Sequence, residues 1–165
     1  MAIIGDIERA YRTGMVHIYP FNKANVNPNS YNVRIDTSTL VRHNATVMRW
    51  GNQDYVPVDD LWLYPNEFYL ASTVEEIGSE HYAPMLEGRS TIARHGVSVH
   101  VTAGFGDIGY TGRWTLELTV AKPIQLLPNM IIAQVAFFVP DRVVKIYNGN
   151  YRYGTIFAAG ELNLA

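Results

Sequence analysis

Residues 88–117 read GRSTIARHGVSVHVTAGFGDIGYTGRWTLE, and the end of this stretch carries the clearest strand pattern of the chain. Leu116 alternates with Thr115 and Glu117, and Leu118 continues the same alternation. Successive side chains of a strand point to opposite faces, so the two leucines share one face and Thr115 and Glu117 share the other. The pattern predicts a strand with one apolar, buried face and one polar face.

Similar short runs extend on both sides of this stretch and are separated by turn residues. The runs are residues 15–19, 31–35, 39–43, 45–50, 55–58, 61–65, 68–72, 115–120, 124–127 and 131–139. Turn signals every eight to twelve residues or so are typical of a sandwich or barrel. The sequence therefore predicts a mostly antiparallel β domain. Residues 21–30 are expected to form an ordered loop, residues 73–82 an irregular connection, and Gly51-Asn52 a turn.

One helix is predicted at residues 6–13, near the N-terminus. Asp6 is suited to cap the first turn, Ile7 and Tyr11 lie on one face, and Gly14 is suited to end the helix. A helix this short is not stable alone and has to pack on the rest of the domain.

Composition limits the classes of function. The chain has 165 residues, 48% hydrophobic residues and a formal net charge of -2, which predicts a single domain over residues 1–165. This charge favours neither nucleic acid nor an anionic membrane as a partner. No apolar run is long enough to span a membrane and no secretory signal is present, so a cytoplasmic location is expected. The absence of cysteine excludes disulfides and cysteine-ligated zinc.

The basic turn of residues 88–94 combines donors that suit an anion. If residues 90–94 form one helical turn, Ser90 lies at its start, where free backbone N–H groups and hydroxyls can face a phosphate. Arg89 or Arg94 can add a bidentate contact. The alternative is a capped turn with solvated arginines, and composition alone favours it.

The two acids of the stretch also have two interpretations each. Glu117 is an ordinary surface acid on a solvated sheet, but in a cleft it is suited to general acid–base work. Asp107 lies in the bend GFGDIGYTG, where it either caps the turn or contacts a ligand. The five histidines have no metal-ligand spacing, and the His-x-Glu and Pro-Cys-x-x-Cys pattern of zinc deaminases is absent.

Taken together, these motifs resemble the dCTP deaminase branch of the trimeric dUTPase-like family. The matching segments are GRSTIAR (residues 88–94), HVTAGFGDIGYTG (100–112), WTLEL (114–118), HIYPFNKANVNPNSYNVRI (17–35) and IIAQVAFF (131–138). They span most of residues 4–140, and residues 41–80 contribute little. The resemblance implies an all-β fold, a β-clip or distorted jelly-roll with one or two short helices, and a homotrimer with active sites between subunits.

The resemblance also implies the ligands and the site residues. The substrate would be dCTP, with dUTP and dTTP as further nucleotides, and Mg²⁺ would bind through the triphosphate, without zinc. Glu117 would be the general base and acid, with Ser90 and the Ala103 carbonyl placing the water, Arg94 near the base and Asp107 on the deoxyribose. The full nucleotide-binding set would be Arg89, Ser90, Thr91, Ile92, Ala93, Arg94, Asp107, Thr115, Leu116, Glu117, Gln134, Tyr147 and Arg152.

Two features favour the bifunctional, dUMP-forming type. Gly104-Phe105 follows Thr102-Ala103 where dUTP-releasing deaminases have His-Arg, and Gln134 is similar to the bifunctional type. Asp107 would then also align a water at the α-phosphate. The alternatives are a deaminase that releases dUTP, a dUTPase, or a silent trimeric nucleotide-binding regulator.

The chain also departs from the family pattern. Thr91 replaces a common Ser, and Gly106 and Ile108 flank Asp107 where Ile and Pro are more frequent. The C-terminal arm, residues 147–165, has Tyr147 and Arg152 but lacks a clear Lys-Tyr pair and Gln. A compact, cysteine-free chain of this kind is also compatible with a viral source.

Overall fold

The computed structural model describes residues 2–46, 54–100, 102–142 and 145–149, and within these ranges the chain is mostly β. The strands are β1 (Ala2–Ile3), β2 (His17–Tyr19), β3 (Tyr31–His43), β4 (Tyr55–Pro57), β5 (Trp62–Leu63), β6 (Tyr69–Gly78), β7 (Ala83–Gly88), β8 (Val97–Val99), β9 (Thr111–Val120), β10 (Ile124–Gln125) and β11 (Ile131–Val139). The helices are α1 (Ile7–Arg12), a short 3₁₀ helix (Lys23–Asn25) and α2 (Ser90–Arg94). The predicted all-β class with short helices is confirmed.

Nine strands form one curled antiparallel sheet with the order β1-β11-β3-β6-β9-β8. β2 pairs with β6, β4 with β3 and β7 with β11, while β5 and β10 form a separate two-stranded ribbon. β9 and β11 are therefore separated by β3 and β6. The strand that carries Glu117 and the strand that carries Gln134 lie in different parts of the sheet.

The alternation predicted for β9 is confirmed. Leu116 and Leu118 are fully buried, whereas Thr115 and Glu117 are only half-buried. The leucines belong to one hydrophobic cluster that extends from Ile7 to Phe137 along the chain. Burying a leucine side chain contributes roughly 1.5–3 kcal/mol, so this face fixes which side of β9 is left for chemistry.

Helix α1 forms where the sequence predicts it. The Asp6 carboxylate accepts a hydrogen bond from the Arg9 backbone N–H at 2.9 Å and caps the helix. Ile7 is fully buried, and Gly14 follows the helix with a φ of 72°, a conformation that glycine adopts without strain. Tyr11 stays partly exposed and stacks on Phe21 with ring centroids 4.0 Å apart.

The prediction of an irregular connection at residues 73–82 is wrong for residues 73–78, because β6 continues to Gly78. The polar residues of this segment are satisfied inside the sheet rather than solvated. The buried Glu75 carboxylate accepts hydrogen bonds from Arg34, at 2.9 Å from the backbone N–H and 2.7 Å from Nε. A register shift between Ser72 and Glu76 gives Glu75 its inward direction.

Other predicted boundaries shift without changing the class. Residues 31–35 and 39–43 belong to one strand, β3, which has a register shift between Asp36 and Val41. The predicted loop 21–30 contains the 3₁₀ helix. The predicted strand 45–50 does not form at Ala45 and Thr46, and its remainder and the Gly51-Asn52 turn lie outside the described residues. Within the described ranges, no helix has the length and apolar character needed to cross a membrane.

Replacing Glu75 by Ala is expected to lower the free energy of unfolding by about 3–5 kcal/mol, because Arg34 would lose its partner inside the sheet. Chemical denaturation monitored by circular dichroism measures this change. Glu76→Ala is the matched control, since the neighbouring Glu76 is half-exposed and its pair with His17 is a surface contact. Equal, small losses in both variants would contradict a buried role for Glu75.

Candidate active site

A cavity of about 250 Å³ lies beside the polar face of β9. Its lining comes from the end of β8, the bend of residues 103–110, the first half of β9 and the C-terminal segment. The lining residues are His100, Ala103, Phe105, Gly106, Asp107, Tyr110, Trp114, Thr115, Glu117 and Tyr147. Six of them, Ala103, Phe105, Asp107, Thr115, Glu117 and Tyr147, are residues that the sequence singled out.

Polar contacts across the sheet hold β9 just before its two site residues. Arg113 donates from Nε to the Thr73 carbonyl at 2.6 Å, and its guanidinium pairs with Asp36 on β3. The Trp114 backbone N–H donates to the Thr73 hydroxyl at 2.8 Å. Burial acts to raise the pKa of Asp36, but hydrogen bonds from Ser38 and Arg113 outweigh it and the pKa lies below its usual value. These contacts fix the register that places Thr115 and Glu117 in the cavity.

The Glu117 carboxylate lies against a buried histidine. Its Oε2 is 2.9 Å from Nδ1 of His100, although the approach lacks the direction of a hydrogen bond. The His100 side chain is 4% exposed and that of Glu117 is 35% exposed. The His100 ring packs edge-on against Trp114, and its backbone N–H donates to the Glu117 carbonyl at 3.1 Å. One side of the carboxylate is thus shielded while the other opens into the cavity.

Two tyrosines near the carboxylate have raised pKa values. Burial raises the pKa of Tyr110 to about 12, and Tyr147 adds to the effect. Burial also raises the pKa of Tyr55 on β4, and the charge of Glu117 adds to it. Both phenols therefore stay protonated at neutral pH. The Tyr110 hydroxyl donates its proton to the Arg113 carbonyl at 2.8 Å.

The bend between β8 and β9 is built on glycines that permit close approach. A Cβ on Gly104 would lie 2.3 Å from the Leu86 carbonyl oxygen, and one on Gly106 would lie 2.4 Å from Cη2 of Trp114. Gly109 has a φ of 100°. The bend exposes Asp107 at the cavity wall, and the Tyr110 N–H donates to the Asp107 carbonyl at 3.2 Å.

The basic turn does form a helix, α2, but none of its residues lines the cavity. Arg89 precedes the helix and is half-buried. Ile92 is buried in the core, so its side chain is not free to contact a ligand. The predicted residues that stay exposed on α2 are Ser90, Thr91, Ala93 and Arg94.

Three other predicted residues also lie outside the cavity. The Leu116 side chain is fully buried, which leaves only its backbone for a ligand. Gln134 lies on β11, opposite Glu87 of β7, and Gly104 is buried behind the cavity wall. Arg152 and most of the C-terminal arm lie outside the described residues, whereas Tyr147 is placed at the cavity by its N–H, which donates to the Ile108 carbonyl at 2.7 Å.

Four residues of this environment are not predicted from the sequence: His100, Trp114, Tyr110 and Tyr55. His100 has no metal-ligand spacing, and nothing near it in the sequence indicates its contact with Glu117. Tyr55 lies in the segment that contributes little to the family resemblance, and only the pairing of β4 with β3 brings it near. No local signal predicts such a contact.

Comparison with known proteins identifies the family to which the chain belongs. A family model described as dCTP deaminase-like matches residues 5–139. A protein of Hathewaya histolytica named dCTP deaminase, dUMP-forming, is 39% identical over 145 residues, covering 85% of this chain and 84% of its own. Proteins of the same name from Clostridium botulinum, strain Eklund 17B, and Clostridium beijerinckii are 42% and 44% identical, covering 82% and 73% of this chain and 81% and 72% of theirs. These relatives are bacterial and do not support a viral source.

A solved structure supports the fold. The 2'-deoxycytidine 5'-triphosphate deaminase from Agrobacterium tumefaciens superposes with a TM-score of 0.64 at 17% identity, over 84% of this chain. The match spans about half of that structure's length, 48%. At this identity the likeness concerns the fold alone, and it agrees with the curled antiparallel sheet.

Gly106→Ala is expected to displace the Trp114 ring, because the added methyl group would overlap it, and so to reshape the cavity. Tryptophan fluorescence and near-ultraviolet circular dichroism would report the displacement. Gly5→Ala is the control, since a Cβ there meets nothing closer than 3.9 Å. An unchanged tryptophan signal in Gly106→Ala would contradict this packing.

Proposed function

The chain belongs to the dCTP deaminase-like family, and from this premise we propose that it is an enzyme that deaminates dCTP by hydrolysis and continues to dUMP. The relatives named as dUMP-forming, which match most of the chain, support the substrate and the product. The observation that carries the proposal is the convergence of Glu117, Thr115, Ala103 and Asp107 on one cavity.

In the deamination step, Glu117 acts first as a base and then as an acid. Its carboxylate takes a proton from water, whose oxygen adds to C4 of cytosine, and the proton passes to the ring nitrogen N3. The second proton of the added water then reaches the amino group through Glu117, the C4–N bond breaks and ammonia leaves. The ring is left as uracil and the carboxylate is regenerated. The contact with His100 leaves one carboxylate edge free for this transfer.

The remaining residues hold the reactants. The Ala103 carbonyl and the Ser90 hydroxyl place the water, and the backbone at Thr115 and Leu116 contacts the base edge. Asp107 holds the deoxyribose, while Arg94 lies near the base and helps bind phosphate. Backbone contacts suit Leu116, because its side chain is committed to the core.

In the second step a water attacks the α-phosphorus of the bound dUTP, and the bond to the β-phosphate oxygen breaks. Pyrophosphate leaves, the proton of the water is released to solvent, and dUMP remains. Asp107 aligns this water. Mg²⁺ would enter with the triphosphate, because it prefers oxygen ligands and keeps several of its waters. When bound, it would neutralise phosphate charge.

We propose that a second copy of the chain completes the site. The base-side residues line the β9 cavity, whereas the exposed donors of α2 are absent from it. A cyclic trimer solves this, because each interface can join the β9 cavity of one subunit to α2 of the next. We therefore propose a homotrimer with shared sites.

The first experiment is product analysis of the purified protein with dCTP and Mg²⁺, resolving dUTP, dUMP and pyrophosphate. Early dUMP with equal pyrophosphate, and no pool of dUTP, is expected. Accumulating dUTP would restrict the function to deamination, and hydrolysis of dUTP without deamination would indicate a dUTPase.

The control for this experiment is Glu117→Gln, which keeps the shape of the side chain but removes the base. Loss of deamination by roughly 10²-fold or more is expected, with dCTP binding kept. Deamination at the wild-type rate in Glu117→Gln would refute the proposed mechanism. Binding of dCTP without turnover by the wild-type protein would indicate a silent regulator.

Subunit complementation tests the shared site. Glu117→Gln and Ser90→Ala are expected to be nearly inactive as separate proteins. Trimers formed by refolding an equal mixture should regain about a quarter of the wild-type activity, because a quarter of the interfaces then pair an intact Glu117 with an intact Ser90. No recovery in verified mixed trimers would place both residues in a site made by one subunit.

A further inference from the structure

The carboxamide of Gln134 is held in one orientation by a serine from the loop before β3. The Ser30 hydroxyl donates to Oε1 of Gln134 at 3.0 Å. Ser30 is 6% exposed, so water competes little for this contact. Among the described residues no partner is recorded for Nε2 of Gln134. The amide is thus fixed at its oxygen and open at its amino group.

The direction of the hydrogen bond follows from the neighbours of Ser30. Asn27 donates from Nδ2 both to the Ser30 hydroxyl, at 3.1 Å, and to Oδ1 of Asn32, at 3.0 Å. Since the serine oxygen accepts from Asn27, its own proton is left to donate to Gln134. An amide turned the other way would place its N–H₂ group against Ser30 and lose this chain of donors.

Gln134 is close to the proposed phosphate side of the site. It pairs with Asn32 of β3 and with Glu87 of β7, whose last residue, Gly88, is the first residue of the basic turn. Two residues earlier on β11, the Ile132 carbonyl accepts from the backbone N–H of Arg89, with N and O 3.4 Å apart. The open amino group therefore belongs to the same end of the sheet as α2.

We propose that Ser30 is a positioning residue that orients the Gln134 carboxamide so that its N–H₂ group donates to the polyphosphate of the nucleotide. This inference rests on the proposed function, because it takes a nucleoside triphosphate as the ligand. Ser30 touches Gln134 and not the ligand, so its removal leaves the contact in place but lets the amide rotate. The affinity for phosphate should fall, while that for the nucleoside should not.

The test is a double-mutant cycle on binding, with dCTP and deoxycytidine as probes and Glu117→Gln as the background that prevents turnover. Gln134→Ala is expected to weaken dCTP binding by roughly tenfold, and Ser30→Ala by about three- to tenfold, the range of one oriented hydrogen bond. The double variant should bind dCTP as weakly as Gln134→Ala alone, since Ser30 then has nothing to orient. Deoxycytidine should bind all variants equally.

Controls separate positioning from a general loss of structure. Ser98→Ala makes the same change at an exposed position of β8 and should leave both affinities unchanged. Asn27→Ala removes the donor that directs the Ser30 hydroxyl and should weaken dCTP binding in the same direction. Equal weakening of dCTP and deoxycytidine by Ser30→Ala would overturn the proposal, as would an undiminished effect of Ser30→Ala in the Gln134→Ala protein.

The two proposals fail in different ways. If the wild-type protein binds dCTP but does not convert it, the proposed function is wrong while the binding cycle can still support the role of Ser30. If conversion to dUMP is intact and Ser30→Ala binds dCTP as tightly as its parent, the positioning role is wrong and the proposed function stands.

Discussion

The antiparallel pairing of β6 with β9 is the constraint on which the site depends. In this pairing Leu70 lies opposite Glu117, and Ala71 lies opposite the buried Leu116. The strand pairing and the buried leucines therefore determine together which side of β9 faces the core. A slip of one residue would turn Glu117 into the core. The register is secured by charge as well as by burial, because Arg113 crosses the sheet to Asp36 just before the site begins.

The same sheet positions the residues that we propose to form the site. In the proposed site β9 contributes Glu117 and the base contacts, whereas Gln134 lies on β11, which β3 and β6 separate from β9 in the sheet. Helix α2 packs beside β8, the strand that pairs with β9, but its exposed residues do not line the β9 cavity. In the proposed trimer a neighbouring subunit would bring its α2 to this cavity without any change of fold, and paired strands would hold the residues of the cavity in place.

Local periodicity was enough to predict the elements whose buried face is continuous in sequence. It placed α1 and β11 nearly to the residue, and it gave the correct faces of β9, although β9 begins four residues before the predicted start at Thr115. It failed at residues 73–78, because an isolated Glu75 reads as a solvated acid until its partner Arg34, 41 residues away in sequence, is known. The contacts of His100, Tyr55 and Ser30 could not be predicted for the same reason, because each joins residues that are far apart in sequence. The motif residues of the site came from the family resemblance rather than from periodicity.

The features that indicate the product do not have equal weight once the packing is known. Packing alone explains the glycine at position 104, because any side chain there would meet the Leu86 carbonyl. Phe105, in contrast, is 62% exposed at the cavity mouth, and nothing in the core of one chain requires an aromatic residue there. The side-chain oxygen of Gln134 accepts a hydrogen bond from the buried Ser30, and only the side-chain amino group of Gln134 is left to contact a ligand. Burying the polar side chains of Ser30 and Asn32 costs free energy. An amino group that is positioned at this cost favours a ligand with acceptor oxygens. The phosphate chemistry of the second step is therefore better supported by Phe105 and Gln134 than by the glycine beside them.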